Sequence, residues 1–322
     1  MFQNPPVTAI LLALATSVLA QNPSVERLDP ALDPLLDANT PIELLGEGYT
    51  WSEGPVWDRT AGELLFSDVP NNIIHAWKPG SAVRPYMKPS GYTGVADYGG
   101  EPGSNGLALD AEGRLLCCEH GDRRISVLTK GGGKMTVADR FEGKRLNSPN
   151  DIAVHSDGTL FFTDPIYGLP KKEKDPMREL DFCGVFRIAK DGKVSLVTKE
   201  IERPNGIALS PDEKTLYVAN SHGPRPHIFS IQLKPDGTAG EPRTFFDTRG
   251  LSGSGAADGL KVDAAGNLWA TGPGGLLIIS PDGKLLGRVL THRATANVAF
   301  GGEDGKSVFL TADDRLLRFH RK

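Results

Sequence analysis

The sequence predicts an all-β fold, a six-bladed β-propeller whose four-stranded blades surround a central channel. Three observations predict it. The 322 residues include 38 Gly and 24 Pro, a surplus of turn formers that favours many short strands over long helices. No 12-residue stretch after residue 20 offers a capped amphipathic helix, which removes the α/β architectures. Six segments also share one grammar: a polar lead residue, alternating apolar residues, an Asp/Gly turn and a second apolar run. Their lead residues are Glu53, Asn105, Asn150, Asn205, Asp258 and Asn297, at intervals of 52, 45, 55, 53 and 39. Each interval fits about four short strands with their turns, and four-stranded units repeated radially make a propeller.

The elements follow in chain order. Val7 to Ala20 is a run of apolar or small residues, too short for a bilayer span of about 20 residues but right for a signal-peptide core cleaved after a small residue. Residues 1–20 therefore read as a signal peptide, although Met1–Pro6 carries neither Lys nor Arg. The expectation is export to the periplasm or medium with no membrane anchor after cleavage. Residues 21–322 read as one propeller. Gln21–Asn39 reads as an irregular lead-in, and a strand near Ile42–Leu45 is expected to join the last blade and close the ring, leaving no free sheet edge. His227–Leu233 and Arg243–Asp247 supply later strands of the fourth unit. Pro170–Asp181 is a charged insertion within the third, read as a solvated loop with a substrate-covering flap as the alternative.

Charge and cysteine usage exclude several classes. Lys plus Arg is 36 and Asp plus Glu is 40, for a net charge of -4, which argues against a dedicated nucleic-acid binder. Cys117, Cys118 and Cys183 have no paired spacing, so neither a disulfide framework nor a zinc site is indicated. They read as buried free thiols, with adjacent Cys117 and Cys118 on opposite faces of a strand. No G-x-S-x-G, H-E-x-x-H or P-loop is present. Gly253–Gly259 superficially suggests a nucleotide loop but leads into a strand.

The repeat places the six lead residues at equivalent ends of the inner strands, around one channel. The second strands return to the same face, so Asp68, His120, Asp164 and Asn220 are expected there, followed by Tyr167 and His222. Asn and Asp before Gly are often mere turn residues. A whole ring that includes a Glu and an Asp is harder to explain that way, because buried carboxylates are costly unless paired or bound to a cation. The oxygen-only set of Glu53, Asn150, Asn205 and Asp258 suits a hard divalent cation, Ca²⁺ best, then Mg²⁺ or Mn²⁺. Zn²⁺ more often recruits His or Cys.

Over essentially the whole chain after residue 20, the sequence resembles the SMP-30/gluconolactonase/LRE-like family of six-bladed propellers. The match runs from Ser52–Pro55 to the segment that begins at Asn297, and the stretches Asn147–Asp151, Phe162–Pro165 and Glu119–Arg124 look like the family's bacterial gluconolactonase branch. The resemblance implies one cation, usually assigned as calcium, on Glu53, Asn150, Asn205 and Asp258. It also implies a proton-transfer role for Asp258. Animal relatives carry an Arg two residues before the Asn matching Asn150, where it contacts substrate; here that place is Ser148. Glu101, Asn105, His120, Tyr167 and His292 are the candidates for substrate binding in its stead. The implied activity is hydrolysis of a small-molecule sugar lactone, with a cation that polarises the carbonyl and activates water. The alternatives are phosphotriester hydrolysis on the same cage, a non-catalytic exported propeller that binds sugar or protein, and a strictosidine-synthase-type propeller without the metal cage.

Overall fold

The computed structural model describes residues 22–234 and 237–322; the signal-peptide expectation at residues 1–20 lies outside them. Six antiparallel sheets form the ring of blades, and no α-helix occurs among the described residues. The inner strands of blades one to six are Ser52–Asp58, Ser104–Leu109, Ile152–Val154, Pro204–Leu209, Leu260–Val262 and Thr295–Gly301. The early strand Glu43–Glu47 pairs with Arg315–His320 and completes blade six, so an early and a late strand close the ring in one sheet. The expected lead-in is more ordered than the sequence suggests. Ser24–Arg27 adds a fifth strand to blade five, Val25 opposite Val289, and Leu32 and Leu36 are buried between blades five and six.

Burial on both faces explains the continuous apolar runs of the second strands. Successive side chains go to the two junctions that flank a blade: Leu64 and Phe66 pack toward blade six, Leu65 toward blade two. Cys117 and Cys118 follow the same alternation, the first packing with blade one and the second with blade three. All three cysteines are free and buried.

Around the channel the ladder breaks at the lead residue in every blade. Blades one, two, four and six carry a register shift there, while in blades three and five the regular strand begins two residues after the lead residue. Such a bulge re-aims a side chain out of the sheet. The glycine that follows the lead residue serves close approach. A Cβ on Gly54 would stand 2.0 Å from the Asn105 carbonyl oxygen, one on Gly106 2.6 Å from that of Asn150, and one on Gly206 2.2 Å from that of Asp258. Each glycine thus lets the next blade's lead residue rest directly on the backbone of its own. Blade three places Asp151 at this position, and its carboxylate accepts from the backbone N–H of Ile152 at 2.9 Å and of Ile207 at 3.3 Å.

Candidate metal and substrate site

One mouth of the channel opens into a cavity of about 330 Å³. Five of the six lead residues line it: Glu53, Asn105, Asn150, Asn205 and Asp258. The sixth, Asn297, lies beneath, where its Nδ2 donates to Glu53 Oε2 at 3.4 Å. That oxygen also accepts from Gly54 N at 3.0 Å. Asn205 donates through Nδ2 to Ser221 Oγ at 2.9 Å, and Ser221 passes the contact to the Ala257 carbonyl at 2.6 Å. This leaves the Asn205 amide oxygen turned away from the wall. Asn205 Oδ1, Asn105 Oδ1 and Asp258 Oδ1 are all buried without a hydrogen-bond partner.

The cavity lining carries charge of one sign, although Lys172 acts on Glu101 from outside it. No Lys or Arg lines the cavity. Burial pushes the Glu53 carboxyl up to about 8, with the charge of Asp151 adding to the effect. Burial also drives Asp258 well above the usual carboxylate range, and the charge of Glu53 raises it further. Two buried carboxylates in one cavity repel, so a counter-charge favours ionising both. No cluster of three or more His, Cys, Asp or Glu side chains able to hold a metal occurs among the described residues. The candidate donor set has two carboxylates and two amides, and its orphaned oxygen acceptors fit a hard, oxygen-seeking cation.

Glu101 and Tyr167 line the cavity as well. Burial pushes the Glu101 carboxyl up, and the Tyr167 phenol above its ordinary range. His120 does not reach the cavity. Its ring is wholly buried behind Glu101, with Nδ1 3.7 Å from Glu101 Oε2. His292 stands apart: it is exposed at φ +56 in a turn whose following residues, Ala294 and Thr295, line the cavity instead.

The second-strand ends differ from expectation. Asp68 accepts from Thr50 N at 3.2 Å and Trp51 N at 3.3 Å. Asp164 accepts from Asn147 N at 2.7 Å and Ser148 N at 2.8 Å, and Asn220 from Arg203 N at 2.9 Å. These three hold the chain two or three residues before each lead residue and do not line the cavity, nor does His222. Ser148 is buried, donating to the Pro165 carbonyl at 2.7 Å and accepting from Gly168 N. Trp51 and Ser221 do line the cavity and were not singled out from sequence. Trp51 lies two residues before Glu53, and Ser221 occupies in blade four the place of His120 in blade two.

The SMP-30/Gluconolactonase/LRE-like region model matches residues 51–314. The gluconolactonase of Zymomonas mobilis is 38% identical over 92% of this chain and 86% of its own. The structure of a gluconolactonase from Xanthomonas campestris superposes with a TM-score of 0.81 at 30% identity, covering 94% of this chain and 97% of that one. A calcium-binding regucalcin structure from Agrobacterium tumefaciens shares the fold with a TM-score of 0.68 at 20% identity, over 87% and 93% of the two chains.

Proposed function

The chain belongs to the SMP-30/gluconolactonase/LRE-like family, and from that premise we propose that it is a lactonase acting on a sugar lactone at this cavity. The observation that carries the reading is the set of buried, unpartnered acceptors on Asn205 and Asp258 beside Glu53, in a cavity without a Lys or Arg. A lactone is neutral and already strained, so its hydrolysis needs an attacking water, a polarised carbonyl and a proton acceptor. Glu53, Asn150, Asn205 and Asp258 would hold a divalent cation, calcium first on their all-oxygen chemistry. When bound, such a cation supplies Lewis acidity toward a carbonyl oxygen and acidifies water. Asp258 takes the proton through its free Oδ1. Asn105 offers an amide to a ring hydroxyl, and Trp51 with Tyr167 walls the site from bulk water.

The test is hydrolysis of glucono-1,5-lactone followed by acid release, with EDTA and with calcium restored. Activity is expected to fall with the chelator and return with calcium, and Asp258→Asn to lose on the order of 10²–10⁴ in rate. Full activity in Asp258→Asn at full metal content would overturn the assignment of the base. An organophosphate ester turned over faster than any lactone would move the reading to phosphotriester hydrolysis. Export is part of the proposal: the exported protein should begin at Gln21 by mass spectrometry, and an intact residue 1–20 segment would refute cleavage there.

A further inference from the structure

The blade-two side of the cavity holds a pair that the hydrolytic reading leaves unused. Glu101 lines the cavity from the loop ahead of the blade-two inner strand, outside the ring of lead residues. No Lys or Arg among the described residues stands within 4.0 Å of its carboxylate; the one ionic partner in that range is His120 Nδ1 at 3.7 Å. No described side chain stands within hydrogen-bond distance of either nitrogen of the fully buried His120 ring, which lies against the Glu101 backbone as well as its carboxylate. Burial keeps the ring neutral, so it carries a single N–H.

Both residues are held firmly. The Asn72 side-chain oxygen accepts from the backbone of Ser90, Gly91 and Tyr92 at 2.8–3.2 Å, which pins the start of the loop. Tyr98 donates to the His120 carbonyl at 3.4 Å. A Cβ on Gly168 would lie 2.4 Å from His120 Cβ, so the chain after blade three's second strand closes over the ring. A half-buried carboxylate with no hydrogen-bond partner among the described residues therefore faces the cavity beside a fixed imidazole.

We propose that Glu101, positioned by the neutral His120, accepts hydrogen bonds from the ring hydroxyls of the substrate and so selects neutral polyhydroxylated lactones over unsubstituted ones. The inference rests on the lactonase reading. Hydroxyl groups on an ionised carboxylate form charge-assisted bonds. A site built for them disfavours an analogue lacking them, because its own polar group is then left unpaired. His120 touches no substrate and acts as a positioning residue.

The experiment compares glucono-1,5-lactone with δ-valerolactone in wild type, Glu101→Gln, His120→Ala and His120→Asn, with calcium affinity measured by titration calorimetry. Glu101→Gln should lower the preference for the hydroxylated lactone about 10–100-fold in kcat/KM, mainly through KM. His120→Ala should follow in the same direction, and His120→Asn, whose amide can place an N–H near the Nδ1 position, should restore the preference. Calcium affinity should stay within tenfold of wild type in all three variants, slightly weaker in Glu101→Gln because the Glu101 charge acts on Glu53 and Asp258. A Glu101→Gln variant that loses both lactones equally, or loses calcium affinity tenfold, refutes the inference, as does a His120→Ala variant with wild-type preference. Wild-type protein that hydrolyses neither lactone refutes the lactonase reading itself.

Discussion

Replacing Gly206 by alanine tests whether the glycine after a lead residue exists so that neighbouring blades can touch. A Cβ there would stand 2.2 Å from the Asp258 carbonyl oxygen, 2.6 Å from Gly259 Cα and 2.9 Å from the Asp258 carbonyl carbon. All three are backbone atoms, so no side-chain rotation relieves the clash. The first gap must open from 2.2 to at least 3.0 Å, the shortest approach that Cβ atoms show, a displacement of 0.8 Å. That displacement falls on the stretch that carries Asp258. Overpacking of this kind costs about 1–3 kcal/mol, or roughly 2–12 °C in Tm at about 2–4 °C per kcal/mol. A catalytic group misplaced by about 1 Å loses up to about 10² in rate. Gly223→Ala is the control, because nothing lies within 4 Å of its Cβ and its φ is not left-handed. Differential scanning fluorimetry and lactone hydrolysis read both variants, with Gly223→Ala expected to match wild type. A Gly206→Ala protein indistinguishable from Gly223→Ala in Tm and rate would refute the reasoning.

Three further outcomes are expected. Glu53, pushed up to about 8, must ionise beside Asp258 to hold a cation, so calcium binding should expel protons. Affinity should then rise with pH until about 8, roughly tenfold per unit for each proton released; calorimetry showing a pH-independent affinity would contradict this. Asp68→Ala leaves the N–H groups of Thr50 and Trp51 without their acceptor. It should cost about 1–3 kcal/mol and raise KM, since Trp51 lines the cavity; unchanged urea unfolding would count against the role. His120 is pushed down to about 3 by burial, from an ordinary 6.5. The unfolded chain therefore binds a proton that the folded one refuses, and stability falls as pH drops from 6.5 toward 3. The loss is about 2 kcal/mol by pH 5. Acid unfolding of His120→Asn should be shallower than wild type, and an identical acid limb would show that another group governs it.

The period of the chain made the ring legible, and errors arose where one residue of register decides a side chain's direction. The lead residues could be read because the repeat is long-range and a Glu and an Asp stand at positions otherwise held by Asn. The partners on the second strand could not. Asp68 pairs with Ser52 and Asn220 with Pro204, and the residue that pairs with Ser104 is Glu119, not His120. His120 is one step further along, in the place of Ser221. Grouping it with Asp68, Asp164 and Asn220 joined residues that face different ways. The function of the glycines was equally hidden. Asn-Gly in sequence suggests a turn, yet Gly106, Gly206 and Gly259 have no positive φ and serve contact between blades. His292 was misplaced for a local reason, since its left-handed turn carries the ring out to solvent while Ala294 and Thr295 turn inward.

The balance of amides and carboxylates bears on how reactive the site can be. In the proposed cage Glu53 and Asp258 together would carry the charge that a divalent cation neutralises, while Asn150 and Asn205 would offer dipoles without further charge. Four carboxylates would hold a cation more tightly but leave it over-neutralised and a poorer Lewis acid. Two further carboxylates, Asp151 and Glu101, act on the cage from outside it and raise Glu53 and Asp258 further. Asp151 faces Lys261 Nζ at 4.0 Å and accepts two backbone N–H groups, and Glu101 sits on the loop beside His120. Replacing Asn205 by Asp separates these effects. Its new oxygen would lose the Nδ2 contact to Ser221 and add a third charge to the cage. Calcium affinity should rise while kcat for a lactone falls. A variant whose affinity and kcat rise together would show that cation retention, and not the residual charge on the cage, limits turnover.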